Sequence, residues 1–224
     1  MEPLDERQRE AQELIARARR ELAGAAAHNA FVELVEAGAA PRERLVRLVA
    51  EESLIVRSDR RSFALAASRF GGDDAAAELF LGLAQGETRA LELLERLGSA
   101  LDPAGPPAGA AGWRPSPAAQ GYPHYLGWLV GSGTRSELAL ALLVNFGFWG
   151  GYCARLAEAV PPRYDLTAGD VEFFAFFSTL PPGFETRATR LLQAGLDAGE
   201  DPSAAVEAAR LMQAYEAAFW QSLA

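Results

Sequence analysis

Apolar residues recur along most of the chain every three or four positions, with short polar, glycine or proline breaks between them. We find no convincing run of alternating β-branched and polar residues bounded by hairpin turns. The pattern therefore predicts an all-α fold of about nine helices without significant sheet. We expect these helices over residues 4–23, 28–36, 41–70, 73–101, 118–130, 134–160, 171–180 and 185–198, and from 201 to near the C-terminus.

Helix boundaries are marked by capping residues and prolines. Thr134 and Glu137 have the spacing of a capping box, in which a hydroxyl and a carboxylate each satisfy a free backbone N–H. Thr167 and Asp170 repeat that spacing before the apolar run VEFFAFFSTL. The pair at 161–162, Pro-Pro, predicts that the preceding helix ends near residue 160.

Residues 103–117 form a break rich in proline and glycine that neither continues a helix nor has the pattern of a strand. Such a segment could link two domains. We favour a surface loop within a single domain spanning residues 1–224, because neither half alone has enough amphipathic helices to close a core.

Composition excludes several classes of function. Acidic residues outnumber basic ones by 30 to 21, a net charge of −9 that disfavours nucleic acid as a partner. The chain has no lysine, which excludes a Schiff-base lysine and a Walker phosphate loop. The two histidines, His28 and His124, are too few for a metal site built from several imidazoles.

Location is indicated by what the sequence does not contain. A single cysteine, Cys153, excludes an internal disulfide and agrees with a reducing cytoplasm. The N-terminus is charged and helical in pattern, unlike a signal peptide, and no apolar run approaches the roughly 20 residues that cross a bilayer. We expect a cytoplasmic protein without a membrane partner.

The predicted helix over 41–70 carries two acids on its apolar stripe. Glu52 and Asp59 share a face with Leu48, Val56 and other apolar residues, so both carboxylates should point inward. A buried carboxylate needs a partner, a raised pKa or a polar cavity. The partner could be a structural arginine instead of a ligand. Glu51 lies off the stripe, and we expect it to be solvated.

A second unusual stretch is ALLVNFGFWGGYC at 141–153. Asn145, Trp149 and Cys153 recur at helical spacing and share one face, where an amide and an indole suit a planar polar heterocycle. Helix packing alone could account for the glycines. A lone helical cysteine is usually a small buried apolar residue, and nothing nearby marks Cys153 as a thiolate.

Two more polar side chains have apolar neighbours. Glu216 lies between Met212 and Trp220 on one face of the last helix. Tyr122 is at the start of the helix that follows the proline-rich break. Both are expected to contribute to the same ligand pocket.

Three segments resemble the TenA/thiaminase-II family, a branch of the heme-oxygenase-like all-helical fold. They are HNAFVELVEAGAAPRERLVRLVAEESLIV, PHYLGWLVGSGTRSELALALLVNFGFW and YEAAFW. The resemblance implies a heme-oxygenase-like bundle that hydrolyses aminopyrimidine fragments of thiamin. Family enzymes use a cysteine nucleophile on the central helix, an acid on the long early helix and a glutamate in the closing motif.

By position, Glu52 matches the early acid, Glu216 the closing glutamate and Tyr122 a tyrosine before the central helices. The nucleophile's position is occupied by Asn145, whose amide cannot form a covalent intermediate, and Trp149 replaces a tyrosine. Cys153 lies two turns further along, about 12 Å by helical rise, too far to act in its place.

The resulting expectation is a pocket for a small heterocyclic or amine-bearing ligand, with Glu52 and Glu216 as candidate catalytic residues. Ligand-binding residues are expected to be Tyr122, Asn145, Trp149, Cys153 and Asp59, with no metal and no cofactor. The alternatives are a non-catalytic ligand-binding or regulatory protein and, less favoured, a metal-dependent oxidase or a DNA-binding regulator. The resemblance also implies a homodimer or homotetramer.

Overall fold

The computed structural model describes residues 9–24, 28–105 and 113–224, and within these ranges the chain forms nine helices and no strand. The helices are α1 (Arg9–Leu22), α2 (Ala30–Glu36), α3 (Arg42–Phe70), α4 (Asp74–Leu101), α5 (Pro117–Ser132), α6 (Arg135–Tyr164), α7 (Glu172–Phe177), α8 (Phe184–Asp197) and α9 (Pro202–Leu223). The all-α prediction is confirmed. Predicted positions 4–8 of the first helix lie outside the described residues.

Local capping explains where several helices begin. At α6, Glu137 Oε2 accepts from the Thr134 backbone N–H at 2.6 Å, and Thr134 Oγ1 accepts from the Glu137 N–H at 3.2 Å. The predicted capping box is therefore present. At α4 and α9 an aspartate side chain, Asp73 or Asp201, accepts from the first backbone N–H groups.

The predicted end of α6 near residue 160 is wrong, because the helix continues through Pro161 and Pro162 to Tyr164. Two side chains of its last turn make hydrogen bonds there. Arg163 donates to the Ala159 carbonyl at 3.1 Å, and the buried Tyr164 donates its hydroxyl proton to the Ala40 carbonyl at 2.9 Å. The helix ends instead at Asp165, whose φ of 54° is left-handed.

The second predicted capping pattern, at Thr167 and Asp170, forms, but it closes a turn instead of beginning a helix. Thr167 and Asp170 exchange hydrogen bonds between their side chains and backbone N–H groups. The following helix begins only at Glu172 and ends at Phe177, so it is shorter than predicted. Of the 103–117 segment, residues 106–112 lie outside the described part.

Buried apolar residues form two clusters along the bundle. One contains Phe63, Phe80, Leu142 and Phe184, and the other contains Phe31, Leu48, Phe173 and Trp220. Helix α6 contributes to both clusters. By length and composition it could cross a membrane, contrary to our expectation, but 61% of its most apolar window is buried in the fold, as in a core helix.

The prediction that Glu51 is solvated is wrong. Its side chain is fully buried between α3 and α5. Its two carboxylate oxygens accept from the Ser116 backbone N–H at 2.8 Å and from Gln120 Nε2 at 3.2 Å. Because α3 packs against α4 on one side and α5 on another, it buries more than one stripe. Glu51 thereby fixes the start of α5 to α3.

Candidate functional site

One cavity lies between six helices of the bundle. Its described lining residues are Glu52, Ile55, Val56 and Asp59 of α3, Glu87 of α4, Tyr122 of α5, Asn145, Phe146 and Trp149 of α6, Phe177 of α7, and Glu216 and Phe219 of α9. The volume open to the centre of a water molecule is about 50 Å³, enough for a compact chemical group or a few waters. Polar groups from distant parts of the sequence thus meet in one small space.

Glu216 and Asn145 form the hydrogen-bonded side of this inner cavity. The Asn145 amide Nδ2 donates to Glu216 Oε2 at 2.5 Å, and Trp220 Nε1 donates to Glu216 Oε1 at 3.1 Å. The Tyr122 hydroxyl donates to Asn145 Oδ1 at 3.3 Å. A chain of hydrogen bonds therefore links α5, α6 and α9 and orients the Glu216 carboxyl group.

Aromatic rings cover another side of the cavity. Trp149 stacks on Trp220 with centroids 5.3 Å apart, and it meets Phe177 edge-on at 5.9 Å and Phe219 at 6.4 Å. These rings offer flat apolar faces, which attract both planar ligands and organic cations.

The cavity is acidic and lacks a compensating cation. Glu52, Asp59, Glu87 and Glu216 are each at most 7% exposed, and no arginine or histidine is among the described lining residues. No described arginine forms an ion pair with Glu52 or Asp59, so the structural arginine partner considered above is not found. Four carboxyl groups thus share a small apolar space.

Burial raises the pKa of every one of these acids, since a charge is poorly solvated there. The pKa of Glu52 rises further through the charges of Asp59, Glu216 and Glu51, and the pKa of Glu87 through those of Asp59 and Glu52. Burial alone accounts for the raised pKa of Asp59.

For Glu216, burial raises the pKa to about 8, although hydrogen bonds from Trp220 and Gln213 oppose the rise. Tyr122 also has a raised pKa, through burial and then through all four acids. Near neutral pH, the carboxyl group of Glu216 in the unliganded cavity is therefore mostly protonated.

Asp59 has an unsatisfied atom in this environment. Its Oδ1 is buried without a hydrogen-bond partner in the structure. An unpaired buried acceptor costs free energy, of the order of 1–3 kcal/mol, and such atoms need an explanation. Asp59 is on the same α3 face as Glu52 and next to Glu87 of α4, so the orphaned oxygen lies at the acidic side of the cavity.

Six of the seven residues predicted from sequence line the cavity: Glu52, Asp59, Tyr122, Asn145, Trp149 and Glu216. The seventh, Cys153, does not. It is fully buried in the apolar cluster around Leu48 and Trp220, and burial followed by the charges of Glu52 and Glu216 raises the pKa of its thiol. The thiol is therefore protonated and packed, which does not support a role in ligand binding.

Sequence reasoning missed Glu87 and the aromatic residues Phe146, Phe177 and Phe219. A signal for Glu87 existed, because it follows Leu83 by four residues and precedes Ala90 and Leu94 on the buried face of α4. The same test that selected Glu52 and Asp59 would have selected it. Phe177 belongs to a short helix whose packing the sequence does not specify.

Histidines and metal ligands do not converge on the site. Both His28 and His124 are exposed, and His28 Nδ1 lies 3.4 Å from Glu33. Within the described ranges, no group of three or more His, Cys, Asp or Glu side chains has a geometry that could hold a metal ion.

A second, outer cavity adjoins the first and shares Glu87, Phe146, Trp149 and Phe177 with it. Its other described lining residues are Gly82, Leu83 and Gly86 of α4, Phe176 of α7, and 179–182, the segment before α8. Its volume on the same measure is about 290 Å³. The four shared side chains thus separate the inner cavity from a larger outer one.

Comparison with solved structures places the fold in a known class. A crystal structure of a domain of unknown function from Shewanella denitrificans, described as having a heme oxygenase-like fold, matches 95% of this chain and 89% of its own with a TM-score of 0.70. The two sequences are only 16% identical, so this likeness concerns the fold alone. The chain has a heme oxygenase-like fold.

The family is shown by sequence. The model of the TENA/THI-4/PQQC family matches residues 17–223, nearly the whole chain, and the protein belongs to this family. No curated protein sequence matches the chain significantly. The resemblance stated from the three sequence segments is therefore confirmed.

Proposed function

We propose that the inner cavity of this TenA-like protein binds a small amine-bearing or heterocyclic molecule as its cation. The observation that carries the proposal is the set of four buried carboxyl groups beside aromatic rings, without a described basic side chain. A cationic group would replace the protons that these acids hold and would lie against the indole of Trp149. An anionic ligand would meet only repulsion.

The size of the cavities indicates how such a ligand is held. The inner space accommodates one compact basic group, and an aromatic or aliphatic body extends past Trp149 and Phe177 into the outer cavity. A planar ring also fits if these aromatic side chains move apart. The hydrogen bonds of Glu216 and Asn145 orient the ligand's nitrogen.

The test compares benzylamine with benzyl alcohol, which has nearly the same shape without the charge. Isothermal titration calorimetry and thermal shift should detect binding of the amine and of aminomethyl-substituted aminopyrimidines, and little binding of the alcohol or of benzoate. Glu216→Gln should weaken amine binding by about tenfold, as expected for a lost hydrogen bond to a charged group. Glu207→Gln, an exposed change on the same helix, is the matched control. Equal binding of the amine and the alcohol would refute the proposal.

A second candidate function, hydrolysis of the bound amine, is favoured by the pKa of Glu216 near 8. In this step the ligand nitrogen reacts as the neutral amine, and Glu216, which keeps its proton at neutral pH, gives that proton to the nitrogen as the carbon–nitrogen bond breaks. The step requires Glu52 to be ionised, so that it takes a proton from the water whose oxygen bonds to the same carbon. The products are an alcohol and ammonia, and no covalent enzyme intermediate forms.

Ammonia release from an aminomethyl-substituted aminopyrimidine tests this second function. We expect Glu52→Gln and Glu216→Gln each to lower kcat by about 100-fold or more, within the usual range for general acid–base groups. Binding without any ammonia release in the wild-type protein would leave only the ligand-binding function, which is the non-catalytic alternative.

Self-association and location also belong to the proposal. Large apolar side chains that remain exposed, Leu65, Leu81 and Trp128, support a homodimer or homotetramer. Light scattering after size-exclusion chromatography tests this, and a monomer at micromolar concentration would refute it. The single buried cysteine supports a cytoplasmic location.

A further inference from the structure

Asp59 and Glu87 are the two cavity acids that lie outside the hydrogen-bond chain of Tyr122, Asn145, Glu216 and Trp220. Amine recognition requires Glu216 and Asn145, whose hydrogen bonds orient the site, and Glu52 across from them. Asp59 lies seven residues beyond Glu52 on the same helix, which separates their backbones by about 10 Å along the α3 axis. The pair is therefore a second acidic position within the same cavity.

Three observations point to a ligand at this pair. Asp59 Oδ1 is buried without a hydrogen bond, although the side chain borders the cavity. Glu87 is 7% exposed and lines both the inner and the outer cavity. No described arginine or histidine lines either cavity. Asp59 thus borders the inner cavity, and Glu87, whose pKa is raised by the charge of Asp59, borders both cavities.

We propose that Asp59 and Glu87 bind a second positively charged nitrogen, so that the ligand is a diamine with basic groups at its two ends. One ammonium group binds near Glu216 and Glu52, and the other binds between Asp59 and Glu87, at the side of the outer cavity. This inference rests on the proposed amine-binding function and names the ligand class for it.

The charges around the pair determine its pH dependence. Groups that face it are Glu52 on α3, Tyr122 on α5 and Glu216 on α9, none of which supplies positive charge. Burial therefore favours the protonated form of both acids and raises their pKa values, and the charge of Asp59 raises the pKa of Glu87 further. A diamine releases these protons to the solvent as it binds, so its affinity increases with pH until its own nitrogens lose their charge.

Matched pairs of ligands separate this inference from the proposed function. Titration calorimetry compares α,ω-diamines from diaminopropane to diaminooctane with n-alkylamines of the same chain length. Repeating each titration in two buffers of different ionisation enthalpy gives the number of protons released. The variants are Asp59→Asn and Glu87→Gln, and the control is Glu95→Gln, an exposed acid two turns further along α4.

We expect the diamine of best length to bind at least about tenfold more tightly than its monoamine, and to release more protons. Asp59→Asn and Glu87→Gln should each lower diamine affinity at least about tenfold more than they lower monoamine affinity, which removes this advantage. Glu95→Gln should change neither. Circular dichroism spectra of all variants verify that they fold.

Equal affinity of monoamines and diamines would overturn the inference and leave amine binding intact. Failure of both ligand types would overturn the proposed function as well. If Mg²⁺ or Mn²⁺ binds, competes with the diamine and is lost in both variants, the pair is a metal site, and the inference is also overturned.

Discussion

Replacing Glu216 by glutamine would measure how strongly the cavity favours a neutral carboxyl group. The folded protein keeps the Glu216 proton up to about pH 8, whereas the unfolded chain loses it near the ordinary value of 4.5. Between these values the folded state binds more protons than the unfolded state, so its stability falls as pH rises. The contribution is fully present below the unfolded pKa and is lost as pH rises through the folded pKa.

The size of the effect follows from the pKa difference. Each unit is equivalent to about 1.4 kcal/mol, so the rise from 4.5 to about 8 corresponds to a contribution of up to about 5 kcal/mol. Glutamine has no proton to lose, so the variant should lack this part of the pH dependence.

Urea denaturation between about pH 5 and pH 8 provides the assay. The altered hydrogen bonds to Asn145 and Trp220 give a constant offset in the free energy of unfolding, whereas the lost titration changes its slope with pH. Glu207→Gln is the control, since its exposed carboxylate pairs with Arg210 and has a lowered pKa. Parallel curves for wild type and Glu216→Gln would show that the cavity does not raise this pKa.

Further substitutions test the cavities, the thiol and the packing. Gly86→Leu should fill the outer cavity beside Phe176 and slow amine association, as stopped-flow fluorescence would show, whereas Gly86→Ala should have little effect because its Cβ would lie 3.8 Å from that ring. Cys153 should resist thiol reagents in the native protein, and Cys153→Ala should leave amine affinity within about twofold. Phe63→Ala should destabilise the fold by about 3–5 kcal/mol in urea denaturation. Thr134→Ala should cost about 1 kcal/mol through loss of the capping box.

Each of these expectations has a contrary result. Unchanged association in Gly86→Leu would mean that ligands do not enter through the outer cavity. Rapid native labelling of Cys153 would show that the second apolar cluster opens readily. A loss of less than about 1 kcal/mol in Phe63→Ala would show that the first cluster repacks around the missing ring. No loss in Thr134→Ala would mean that water replaces the cap.

Local signals in the sequence predicted the helices and most of the cavity. Spacing alone placed Glu52 and Asp59 on a buried face, and the capping box located the start of α6. The errors arose where packing partners decide the outcome. Glu51 is buried because α5 covers it, and the last turn of α6, beyond its two prolines, is bonded to Ala40 through Tyr164. The residue pattern of one helix does not show which other parts of the chain pack against it.

The residues that line the cavity also show that a sequence pattern does not determine which side chains meet in space. Glu87 could have been found by spacing, but its closeness to Asp59 depends on how α3 and α4 are paired. Likewise, Phe177 reaches Trp149 only because α7 packs on α6. Sequence identifies inward-facing polar residues, and only the assembled bundle determines which of them meet.

The position of Glu216 on α9 has a consequence for synthesis of the protein. Glu216 lies 71 residues beyond Asn145 in the chain, and its helix supplies both a carboxyl group and an aromatic side chain to the cavity. On the ribosome, α3 to α6 emerge before α9. The cavity is therefore complete only after α9 has been synthesised and has packed against the other helices.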